Sequence, residues 1–201
     1  MTDPSVKKPT FLIAGMQKAG TTTLHHLLSF YPEIYVPERK ELHLFSRGAV
    51  TPERFSRYLS WFAAAGEGQA RGEASPIYSY LPGALEAARE WLGEETRIVL
   101  ILRDPVQRAY SHYWHEIKMG CEYLPFRQAV QRFQWERRDL FYHRHHSYLE
   151  RSLYSGQIER AEAFGRAERD IDSPVAGPES VPREGGGRAG ARLPQDRQVA
   201  R

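Results

Sequence analysis

Cysteine, long apolar runs and charge of one sign are all scarce in this chain of 201 residues. The one cysteine, Cys121, excludes an internal disulfide framework and a cysteine-based zinc site. The longest apolar runs, such as Ile98 to Leu102, are about five residues, against the roughly twenty that a membrane-spanning helix needs. The apolar run after the polar start is too short for the core of a secretory signal. These shortages predict no transmembrane segment and a cytoplasmic location. Net charge is +3, from 28 basic and 25 acidic residues. That balance argues against a duplex-DNA binder, so no nucleic-acid partner is expected. Aromatic residues are absent after Phe164, and residues 165–201 are rich in Gly, Pro and Arg. No apolar periodicity is left there to build a core element, which predicts a disordered tail behind one domain over residues 1–164.

Before Phe164 the chain is well supplied with core-forming residues. Phe11-Leu12-Ile13-Ala14 reads as a buried strand, followed by the loop from Gly15 to Gly20. A helix then opens at Thr21, with Leu24, Leu27 and Leu28 on one face. Ile34 to Val36 suits a second strand, and the stretch from Glu38 to Phe45 a polar loop. Thr51 and Pro52 supply a cap and a first turn for a helix presenting Phe55, Tyr58, Leu59 and Phe62. Arg71 to Pro76 reads as a loop or strand end, and Pro82 to Leu92 as a helix. The run Ile98 to Leu102 has the wholly apolar character of a central parallel strand. Asp104 and Pro105 repeat the cap-and-first-turn pattern for a helix reaching Lys118. Further helices are expected over 126–137 and 153–164. Strands alternating with helices predict an α/β domain, a P-loop-like three-layer fold whose central, mainly parallel sheet is flanked by helices.

The turn between the first strand and helix carries the strongest chemical signal. A strand, a Gly-bearing loop and a helix N-terminus make a cradle for phosphate or sulfate, because loop N–H groups and the positive helix end converge on the anion. Lys18 adds a point charge, and Thr21, Thr22 and Thr23 add hydroxyls. Gly15 and Gly20 have the spacing of the nucleotide-triphosphatase loop, but Thr21 stands where that pattern requires lysine. By themselves, these residues also suit an ordinary strand–helix turn with a threonine cap.

The segment PTFLIAGMQKAGTTTLHHLL resembles the 5′-phosphosulfate loop of sulfotransferases that use 3′-phosphoadenosine 5′-phosphosulfate (PAPS), in their heparan-sulfate and bacterial-type branch. The resemblance implies that Lys18, Ala19, Gly20, Thr21, Thr22 and Thr23 hold the 5′-phosphosulfate. It further implies that Lys18 stabilises charge on the leaving phosphate oxygen. RIVLILRDPVQRAYSHYW resembles the 3′-phosphate motif of the same family, which assigns Arg103 and Ser111 to that phosphate. Their eight-residue spacing puts Ser111 about two turns into the helix that Arg103 precedes. Arg108 between them reads equally as a surface residue. RSLYSGQIER resembles a later Arg-Gly-x-Tyr motif, with Ser152 in place of the glycine, and implies Tyr154 near the cofactor.

On the acceptor side, Lys40-Glu41-Leu42-His43-Leu44-Phe45 resembles the family's K-E-x-H-F-F segment, implying Glu41 as the base and His43 as its alternative. Glu73 and Ser75 match a segment near the acceptor, with Ala74 where some relatives carry lysine. His112, His115, His143, His145 and His146 show no matching carboxylate in the sequence, and no metal is expected. Six arginines between residues 127 and 151 read as a solvated helix face. The resemblance therefore implies transfer of a sulfuryl group from PAPS to a hydroxyl or amine of a small-molecule or carbohydrate acceptor. Competing readings are a P-loop nucleotide kinase and a non-catalytic nucleotide-binding remnant of the family. It covers about residues 9 to 164 and then stops, so the tail reads as a C-terminally truncated or out-of-frame end.

Overall fold

In the computed structural model, described residues are 7–131 and 139–165. Strand β1, Phe11–Gly15, leads through the loop into helix α1, Thr21–Leu28. Strand β2, Ile34–Tyr35, and a 3-10 turn at Leu44–Ser46 precede α2, Pro52–Leu59. Then come β3, Ala70–Ala74, α3, Ala84–Leu92, β4, Arg97–Leu100, and α4, Pro105–Lys118. The remaining helices are α5, Phe126–Gln131, α6, Leu140–His145, and α7, Ser155–Phe164. Among the described residues the strands form one parallel sheet in the order β2-β3-β1-β4. The expected α/β architecture is therefore present.

Local chemistry explains the helix starts. The Thr51 hydroxyl accepts from the Arg54 N–H at 3.3 Å, and the Asp104 carboxylate accepts from the Gln107 N–H at 2.8 Å. Each cap satisfies a first-turn donor that has no intrahelical partner, and each is followed by proline at the first helical position. The main core packs Leu12, Ala14, Phe45, Tyr58, Phe62, Tyr78, Leu85 and Phe164 between sheet and helices. Phe62 is fully buried, edge-on to Tyr58 at 5.4 Å.

Several expectations are corrected. Arg71 to Pro76, read as a loop or strand end, is the end of a strand: residues 71–74 belong to β3, which pairs with β1 on one side and β2 on the other, and Ser75 and Pro76 follow it. Its Gly72 lies opposite Phe11, and a Cβ there would stand 2.1 Å from the Phe11 ring. This strand looks polar in sequence because its buried Glu73 is satisfied by hydrogen bonds rather than replaced by an apolar residue. The Ile98–Leu102 run is not central among the described strands. Its β4 pairs with β1 alone, Leu102 is 55% exposed, and β1 holds the middle with Leu12, Ile13 and Ala14 at 0%. Helix α1 turns Thr21 and His25 inward and leaves Leu27 half exposed. Helix α6 went unforeseen, and the 153–164 helix starts at Ser155. Residues 132–137 of the helix expected over 126–137, and 166–201 of the tail, lie outside the described residues.

Candidate active site

Site geometry begins where β1 ends. The Met16 N–H bonds the Ile101 carbonyl at 3.0 Å, so the loop leaves the sheet in a fixed direction. Lys18 adopts φ 68°, a left-handed conformation costly for a residue with a Cβ. One clamp offsets that cost: Arg103 Nη1 donates to the Lys18 carbonyl at 3.0 Å. Tyr154 in turn donates its hydroxyl to the Arg103 carbonyl at 2.8 Å. Gly20, at φ 105°, caps α1 without a side chain, so no side-chain acceptor occupies the first-turn N–H groups. An anion is the natural partner for such donors.

These donors face a cavity of about 290 Å³ whose wall includes Lys18, Gly20, Thr21, Thr22, Ser111, Lys40 and Glu41. Two distant sequence motifs thus meet in one space. Ala19, Thr23, Arg103 and Tyr154 are not part of that wall. Arg103 and Tyr154 are instead tied to the loop from outside by the two bonds above. Burial and the neighbouring cations Lys118, Arg103 and Lys40 pull the Lys18 pKa down, against the attraction of Glu116. The pocket thus sets a lysine among other cations and hydroxyl and N–H donors, with the Glu41 carboxylate in the same wall.

Glu41 closes the opposite wall. Lys40 Nζ lies 3.3 Å from its Oε1, and His43 Nε2 lies 3.2 Å from its Oε2. His43 does not line this cavity; it lines a neighbouring one. Its Nδ1 meets Ser46 Oγ at 3.0 Å, and burial lowers its pKa to about 4. With both ring nitrogens engaged, His43 orients Glu41 and is the poorer candidate for the base. The His43 N–H donates to Ser75 Oγ at 3.1 Å, and Ser75 donates to buried Glu73 at 2.8 Å. Burial pushes the Glu73 pKa up to about 7. The acidic segment and strand β3 are thereby joined.

Gln17, Pro76 and His115 also line this wall, where the motifs assign them no role. His115 had a usable signal, since it sits one turn beyond Ser111 on the same face of α4. Arg151 is fully buried, donates to Gln17 Oε1 at 2.6 Å and to the His143 carbonyl, and stacks 4.7 Å over the Tyr80 ring. That burial corrects the solvated-face reading for this arginine. Arg108 is likewise buried, donating to Ser152 Oγ at 2.7 Å and to the Tyr148 carbonyl. Ser152, in the place of the motif's glycine, is what receives it. A carboxylate does accompany the histidines: Glu116 lies 3.3 Å from His112 Nε2 and 2.6 Å from His145 Nδ1. With Glu116 and His145, Cys121 Sγ completes a trio of ligand atoms within 4.8 Å of one another.

Known proteins are similar to this chain. The sulfotransferase domain family matches residues 8–161. A solved sulfotransferase from Alicyclobacillus acidocaldarius superimposes with a TM-score of 0.66 at 31% identity, covering 80% of this chain and 71% of that one. The membrane-associated sulfotransferase kil1 of Dictyostelium discoideum is 31% identical over 111 residues, 55% of this chain and 23% of its own length. Mouse heparan sulfate glucosamine 3-O-sulfotransferase 3A1 is 28% identical over 113 residues, 54% of this chain and 27% of its own. The chain thus spans roughly a quarter of the length of these curated relatives. Among the described residues no helix is long and apolar enough to cross a membrane. With the end of β1, the start of α1 and Ser111 of α4 around one cavity, and a family match running from residue 8 to residue 161, the chain belongs to the sulfotransferase domain family.

Proposed function

We propose that this chain moves a sulfuryl group from PAPS to a hydroxyl or amine of an acceptor, with a carbohydrate as the favoured class. The observation that carries the reading is the single cavity shared by Lys18, Thr21, Thr22, Ser111 and Glu41. Its donor set suits the anionic end of PAPS: loop and helix N–H groups, two threonine hydroxyls, a lysine and a serine. PAPS, as donor substrate, supplies the activated sulfuryl group. In this reading Lys18, Gly20, Thr21 and Thr22 hold the 5′-phosphosulfate, with Ala19 and Thr23 as parts of the same turn. Ser111 binds the 3′-phosphate, where Arg103 offers the guanidinium nitrogens not used on the Lys18 carbonyl. Tyr154 positions Arg103.

Lys18 lies where negative charge would grow on the leaving phosphate oxygen, and preorganised charge of this kind is commonly the largest catalytic contribution. Glu41 takes the acceptor proton. Both of its oxygens have a neighbouring nitrogen, Lys40 Nζ on one and His43 Nε2 on the other, which hold the carboxylate in place. The heparan sulfate relatives support a carbohydrate acceptor.

Calorimetric titration with adenosine 3′,5′-bisphosphate and with ATP tests the donor site. Preference for the bisphosphate is expected; equal or tighter ATP binding refutes it in favour of a kinase. Radiolabelled sulfate transfer across an acceptor panel tests turnover. Bisphosphate binding with no transfer to any acceptor would mark a binding remnant instead.

A further inference from the structure

A second cavity of about 240 Å³ borders the polar loop from Glu38 to Phe45, and the reaction as described makes no use of it. Arg39, Arg47, Arg54 and Arg57 line it, with Trp61 and His43, and no carboxylate forms part of its wall. Arg54 is spent on architecture: it donates to the carbonyls of Gly48 at 3.3 Å and Leu44 at 3.2 Å, and to that of Ala49. This ties α2 to the preceding loop and fixes the rim. Arg39, Arg47 and Arg57 are exposed, and among the described residues none forms an ion pair. Arg89, by contrast, is paired with Glu94.

Four guanidinium groups around one cavity repel one another, and among the described residues no carboxylate pairs with Arg39, Arg47 or Arg57 to offset that repulsion. A bound anion would. The forked donors of arginine match a carboxylate or sulfate in two-point fashion. The Arg39 guanidinium stacks 5.5 Å from the Trp61 ring, so an apolar face stands beside the charged one. That combination suits a ring scaffold bearing an acid group.

His43 joins this cavity to the first. It lines the arginine cavity, while its Nε2 lies 3.2 Å from Oε2 of Glu41, which lines the other. We infer that the cavity formed by Arg39, Arg47 and Arg57 is an anion subsite for the acceptor, which therefore carries a fixed carboxylate or sulfate near the group that receives the sulfuryl. The inference rests on the sulfotransferase reading and adds to it the charge of the substrate.

The test uses the full chain loaded with adenosine 3′,5′-bisphosphate. A uronic-acid oligosaccharide and the same oligosaccharide after carboxyl reduction are titrated by calorimetry at two salt concentrations. The acid form is expected to bind at least about tenfold more tightly, with the advantage shrinking at higher salt. In the double variant Arg47→Gln, Arg57→Gln the advantage falls about tenfold, while affinity for the bisphosphate is unchanged. Equal binding of the two oligosaccharides, binding of neither, or an unchanged preference in the variant overturns the inference. Failure of the bisphosphate itself to bind is seen in the loading step and refutes the sulfotransferase reading instead.

Discussion

Glu73 gives the sharpest quantitative test of how this site is built. It lies on β3 at 1% exposure, with Ser75 Oγ donating to it at 2.8 Å and the Tyr58 hydroxyl at 3.4 Å. Burial is the dominant influence and raises its pKa to about 7, against an ordinary value of 4.5; the hydrogen bonds pull the other way. Between those two values the folded protein binds a proton that the unfolded chain has released. Stability from this group is therefore fully present below pH 4.5 and is lost as pH rises through about 7. Replacing Glu73 with Gln keeps the size and removes the titration. Integrating the linkage relation, the stability of Glu73→Gln relative to the parent should rise by ~2.5 kcal/mol between about pH 5 and about pH 8. Urea unfolding of both proteins at several pH values measures that difference directly. A difference that is flat with pH, or that falls, would refute the argument that burial dominates at Glu73.

Three further outcomes follow from the geometry. Ser111→Ala should weaken adenosine 3′,5′-bisphosphate about tenfold in calorimetry, the value of one lost hydrogen bond to a charged group, with the urea midpoint almost unmoved because Ser111 lines a cavity. Gly72→Ala should cost about 1–3 kcal/mol in urea unfolding, because its Cβ would meet the Phe11 ring, and adding Phe11→Leu should restore part of it. Thr51→Ala removes the cap on the Arg54 N–H and should lower stability by ~1 kcal/mol without altering bisphosphate affinity.

Much of the donor site was legible because it is local. A strand, a short turn and a helix start are contiguous, and the two cap-and-proline pairs announced α2 and α4. Ser111 and Lys18 could be matched by motif and then proved to share a wall. The acceptor side was less legible, since Glu41, His43, Ser75 and Glu73 are coupled through side-chain bonds that cross between a loop and a strand.

The sequence by itself determined the alternation of strands and helices, the helix caps and the phosphate-type turn, because each depends on residues within a few positions of one another. Tertiary structure alone decided which strand is central, that Arg108 and Arg151 are buried, and that Glu116 lies between His112 and His145. It also brought four arginines around one cavity beside Glu41. Burial and charge pairing depend on what the remainder of the chain places nearby, and residues far apart in sequence carry no periodicity that reveals it.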